Sequence, residues 1–148
     1  MVFENQKVLI DVDLSADYNF YPASMDDQVV DQVLEWSFYE NIQDDGFEVG
    51  GDEFIHIDDV KKLRDAFFQF LYRETEHFRI EPRCDFYGRS IPFLSFEALR
   101  KNDKAWLVVD LQDEFGLTRF EDYVGREKLE EVCRFFQNAI MDYQTQKT

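Results

Sequence analysis

Two stretches of this chain repeat apolar residues at helical spacing, while most of the rest alternates as strands do. The first is "DDVKKLRDAFFQFLYRE", where Val60, Leu63, Phe67, Phe70 and Leu71 form one stripe. Asp58 is the expected N-cap, with Asp59 in the first turn. The second is "GREKLEEVCRFFQNAIMDY", where Leu129, Val132, Cys133, Phe136, Ala139, Ile140 and Tyr143 recur on one side. The spacing predicts helices over about 59–73 and 125–142, with residues 144–148 as a frayed tail.

The remaining segments read as strands and turns. "KVLIDVDL" alternates Val8, Ile10, Val12 and Leu14 against a mostly polar second face. Residues 29–42 fit two periods: Val29, Val30, Val33 and Leu34 suit a helix, and Leu34, Trp36 and Phe38 suit a strand. The aromatic cluster favours a strand from about Val33 to Ile42. Asp45-Gly46 then signals a hairpin, and "FEVGGDEFIHI" returns as a strand broken at Gly50-Gly51. "FRIEP", "IPFLSFEAL", "AWLVVDL" and the weaker "FGLTRF" supply further strands, with "RKNDK" a tight turn between the second and third of these. "SADYNFYPASMDD" and "RCDFYGRS" read as loops. Runs of strands divided by only two helices predict a single α+β domain. Its sheet is mostly antiparallel, with both helices on one face.

The net charge is −16, from 32 acidic and 16 basic residues, in a chain that is 45% hydrophobic and contains sixteen Phe. That aromatic content separates it from disordered acidic chains. The charge argues against direct nucleic-acid contact, which needs Lys and Arg, and against an anionic membrane surface. It suits a basic protein partner; the other reading is that it serves solubility and favours a monomer. No apolar run approaches the ~20 residues that span a bilayer. "MVFENQKVLIDVD" carries charges where the apolar part of a leader would stand. Cys84 and Cys133 form no CxxC pair, and Cys133 lies on a helix's apolar face. A reduced, cytoplasmic protein without disulfides is expected.

Motif tests return little chemistry. Asp11-x-Asp13 opens like a calcium loop, but Ala16 stands where that loop needs Gly and Pro22 where it needs Glu. Zinc ligation has only His56 and His77 to draw on, with no paired cysteines. No nucleophile elbow or phosphate-binding glycine loop is present, and "VGGDE" reads as a bulge or turn. No metal or cofactor is expected, and no catalytic residue is assigned. Carboxylates are so numerous that a glycosidase-like pair carries little weight as a signal. A small hydrolase using such a pair stays as an alternative.

The acids are better read as a protein-binding surface. "DLQDEFGLTRFEDY" offers Asp113, Glu114, Glu121 and Asp122 for charge, with Phe115, Phe120 and Tyr123 for contact. "QDDGFEVGGDEF" is a second candidate, through Asp44, Asp45, Asp52 and Glu53. The competing reading puts the aromatics in the core and leaves the acids as a solvated rim. An elongated acidic face would also suit a mimic of DNA that occupies a DNA-binding protein.

The order of hairpin, "IDDVKKLRDAFFQFL", "IPFLSFEALRKNDKAWLVVDL" and a terminal helix after an acidic strand resembles the WapI-like bacterial immunity proteins over residues 30–142. "FLSFE" (Phe93 to Glu97) followed by a hydrophobic strand is the most specific piece, and "DYNFYPASMDDQ" has no counterpart. The resemblance implies a small acidic cytoplasmic protein that neutralises a toxin by contact, with no catalytic residues. A basic toxin or nuclease domain is the expected partner.

Overall fold

A computed structural model describes residues 1–15, 33–42, 47–82, 94–113 and 116–147. Within these, the side chains of residues 15, 33–42, 47–54, 113 and 146–147 are not described. Strands β1 (Val2–Glu4), β2 (Val8–Ser15), β3 (Val33–Ile42) and β4 (Phe47–His56) precede helix α1 (Ile57–Leu71). Strands β5 (His77–Ile80), β6 (Leu94–Lys101), β7 (Lys104–Asp113) and β8 (Gly116–Val124) follow, and helix α2 (Arg126–Lys147) ends the fold. The strands form two antiparallel sheets, ordered β1-β2-β3-β4 and β5-β6-β7-β8. The class is α+β, as the pattern predicts, with two sheets in place of one.

The ambiguous segment is a strand over 33–42; residues 29–32 lie outside the described residues. β4 runs unbroken through the glycine doublet, with Gly50 opposite Tyr39 and Gly51 opposite Phe38. Glycines therefore weaken this strand without ending it. Ile42 pairs with Phe47, so β3 and β4 form the expected hairpin, although residues 43–46 lie outside the described residues. Of the loops expected over 15–27 and 83–90, Ser15 instead ends β2 and the rest lie outside the described residues, as does Cys84. α2 continues to Lys147, so the expected tail is mostly helix.

α1 begins two residues earlier than expected, because its cap is His56 and not Asp58. The His56 backbone is extended, and its Nδ1 accepts the Asp58 N–H at 3.1 Å. An imidazole nitrogen thus does the work usually given to a short oxygen side chain. The "RKNDK" turn has Asn102 at φ 52° and Asp103 at φ 63°, with Lys101 opposite Lys104. Two positive φ values in a two-residue loop match the twist of the flanking strands.

One apolar cluster draws on both sheets and both helices. Phe67 of α1 lies 4.9 Å from Phe78, 5.8 Å from Phe96 and 5.9 Å from Phe136, ring centre to ring centre. Phe96 and Phe136 meet edge to face at 5.6 Å. Both helices therefore cover the same face of the second sheet. Phe3 joins the first sheet to this cluster through Phe96 and Phe120. Such ring pairs contribute about 0.5–1.5 kcal/mol each beyond their area burial.

Candidate functional site

"DLQDEFGLTRFEDY" folds as the β7–β8 hairpin, with Asp113 opposite Gly116. Alternation along β8 divides its candidate residues between two faces. Phe120 is 3% exposed and packs on Phe3, so it belongs to the core and offers no contact surface. Asp122 shares Phe120's side of the strand, is half-buried, and accepts the Tyr123 N–H at 2.8 Å. Glu121 and Tyr123 stand on the other side, both exposed. The side chain of Asp113 is not described, and Glu114 and Phe115 lie outside the described residues.

The helix-free face of the second sheet is mixed in charge. Asp110 is directly opposite Arg119 and accepts two bonds from it, at 2.7 and 2.9 Å. Those bonds raise the guanidinium's already high pKa. Glu97 meets His77 at 2.8 Å. Trp106 and Tyr123 pack edge to face at 4.8 Å, with the Lys101 ammonium 4.0 Å from the indole ring. This face is an aromatic pair ringed by both signs of charge. Glu121 and Asp122 also line a shallow depression of about 320 Å³ with Asn5, Lys7 and Arg119.

The acidic positions concentrate in the first sheet and the segments around it. Residues 1–56 hold fourteen Asp and Glu against one base, Lys7, a net of −13; residues 57–148 hold eighteen against fifteen, a net of −3. None of β1 to β4 contains a Lys or Arg. Phe3, Val8, Ile10, Val12 and Ile55 mark the core face of this sheet. Register places Glu4, Asp11, Asp13, Glu35, Glu48 and Asp52 on the opposite face. Asp13, Ser37 and Asp52 form one row, and Glu4, Leu9, Asn41 and Glu48 another. Glu4 and Asp13 are exposed. Tyr39 and Phe54 occupy register positions on the same face.

Of the second candidate stretch, Asp52 falls on this acidic face and Glu53 on the core side, by the same alternation. Asp44 and Asp45 lie outside the described residues. The halves differ so much in charge that a running count along the sequence would have found this sheet.

Among the described residues, no group of His, Cys, Asp and Glu is placed to hold a metal ion. The Asp103 carboxyl is held below its ordinary pKa by hydrogen bonding and charge from Arg73, on an exposed turn. A general acid needs the opposite shift. No described helix is long and apolar enough to cross a membrane. No family model and no curated protein matches the chain.

Proposed function

We propose that this chain is a non-enzymatic binding protein whose partner is a basic protein, docked on the outward face of β1–β4. The observation that carries this reading is the uneven charge: six of the eight acids in these strands share one sheet face, Glu40 and Glu53 being on the other, and the four strands contain no Lys or Arg. Like charges in adjacent rows work against sheet stability, so this arrangement costs the fold something. A cationic partner relieves that repulsion on binding and is drawn in from a distance by the field. Tyr39 and Phe54 occupy positions from which aromatic contact would supplement charge.

The specific form we favour is an immunity-type inhibitor that neutralises a basic toxin or nuclease domain in the cytoplasm. The acidic composition and the order of elements support it. A mimic of DNA would use the same face on a DNA-binding protein, and its partner would release duplex DNA on binding.

The test is capture of partners from lysate of the source cell on the immobilised chain and on two double variants. Asp13→Lys with Asp52→Lys alters the acidic face; Glu127→Lys with Asp142→Lys alters α2 as a control. One stoichiometric basic protein, released by salt, lost on the first variant and kept on the second, supports the reading. Equal recovery on both variants removes this face from the binding site.

A further inference from the structure

We propose that the concavity between the end of α1, the β6–β7 hairpin and the start of α2 binds the phosphate group of a small ligand. This site is separate from the acidic face and does not depend on its function. The concavity is about 480 Å³, within the range of small-molecule sites. Arg73, Arg100, Lys104 and Arg126 line it, and Asp103 is the one acid among the lining residues. A quarter of the chain's sixteen basic residues thus converge on one hollow of a protein with net charge −16.

Three of these four cations already have partners, and Lys104 is the one left without an ion pair among the described residues. Arg73 bonds Asp103 at 3.0 Å, with Glu76 adding to the negative field at its guanidinium. Arg126 bonds Glu130 at 2.8 Å. Arg100 donates from Nη2 to the Phe70 carbonyl at 2.8 Å, which satisfies an acceptor at the end of α1. Its guanidinium lies 4.3 Å over the Phe70 ring, and its Nε, shielded from solvent, has no hydrogen-bond partner among the described residues. Lys104 makes no ion pair among the described residues and lies 5.8 Å from the Tyr123 ring. Capping α1 explains Arg100 in part, but it does not explain why Lys104 and Arg126 gather beside it.

α2 adds a further attraction. Its first backbone bond runs from Leu129 N–H to Gly125 carbonyl at 3.3 Å, and Gly125 and Arg126 line the concavity. The N–H groups of residues 126–128 therefore precede the intrahelical ladder, and Gly125 has no side chain with which to cap them. They add the positive end of a helix 22 residues long to the four side chains. Donors from several directions suit a tetrahedral phosphate better than a planar carboxylate, and guanidinium forks match its oxygen pairs. Tyr123 on the wall provides a surface for the rest of a phosphate monoester.

The experiment is a titration of the full ¹⁵N-labelled chain at pH 7.5, followed by amide chemical shifts, at constant ionic strength. The probes are inorganic phosphate, phenyl phosphate and acetate. Saturable shifts at Gly125, Arg126 and Glu127 are expected with both phosphates, and weak, unsaturated shifts with acetate. Tighter binding of phenyl phosphate identifies an ester as the source; equal binding identifies free phosphate. Lys104→Gln with Arg126→Gln should raise the apparent dissociation constant about tenfold and leave distant amides unshifted. Lys104→Gln alone, an exposed substitution, should show a smaller change in the same direction. An equal response to acetate, no saturation with either phosphate, or unchanged affinity in both variants would overturn the assignment.

Discussion

Asp110 and Arg119 face each other across β7 and β8 and close a two-bond ion pair in which the acid is far less exposed than the base. The Asp110 side chain is 11% exposed and that of Arg119 46%. Removing the base leaves a nearly buried carboxylate without its partner, whereas removing both charges leaves two neutral groups that can still bond. Arg119→Gln is expected to destabilise the fold by about 2 kcal/mol. Adding Asp110→Asn to it should restore more than half of that loss. Urea unfolding of the two single variants and the double variant measures this, and additive losses would show that the pair is not coupled.

The Asn102-Asp103 turn makes a second prediction about stability. Asn102 has a φ of 52°, in the left-handed region that glycine occupies without strain and β-branched residues avoid. Asn102→Gly should be neutral or stabilising by up to about 0.5 kcal/mol, and Asn102→Val should cost about 1–2 kcal/mol. Urea midpoints at an unchanged slope would report it. Equal midpoints for the Gly and Val variants would mean that the hairpin tolerates either backbone state.

Period decides what the sequence reveals here and what it hides. The stripes at Leu63, Phe67 and Phe70 and at Val132, Phe136 and Ile140 are long enough to fix both helices, and all six residues are buried. The Trp36–Phe38 alternation reveals β3 in the same way. Glu121-Asp122 and Asp52-Glu53 read as paired charges along the chain, yet a strand sends successive residues to opposite faces. Adjacency along the chain therefore does not put two acids on one face of a sheet. Asp13 and Asp52 are 39 positions apart in sequence and share a row only through β3, which no local pattern can show. The His56 cap was hidden for another reason: a histidine at a strand's end gives no sign that it will accept an N–H.

Cys133 provides the pH prediction. The residue is 2% exposed, and burial, with the nearby Glu130 charge, pushes the thiol's pKa from an ordinary 9.0 up to about 11. Because the folded value is raised, its contribution to stability is complete below pH 9 and is lost as pH rises from about 9 to about 11. Cys133→Ala should flatten the decline in urea midpoint across that window relative to the parent chain. Iodoacetamide at pH 8.5 should leave Cys133 unmodified in the native protein and modify it in urea, as peptide mapping would show. Rapid native modification would mean that the helix opens often enough to expose the thiol.

The field of the first sheet should be legible in association kinetics with the basic protein recovered by capture. Asp13→Lys with Asp52→Lys changes the charge of that face by +4, in a row where both residues meet β3. At low ionic strength the association rate should fall about tenfold or more, since steering acts before contact. At high salt, where the Debye length shrinks to a few ångströms, most of the difference should vanish. Glu121→Lys serves as the comparison, because Glu121 stands on the mixed face beside Tyr123 and near Arg119. It should slow association by less than twofold. If Glu121→Lys proves the slower variant, the partner docks on the β7–β8 hairpin, and the aromatic pair of Trp106 and Tyr123 becomes the contact surface.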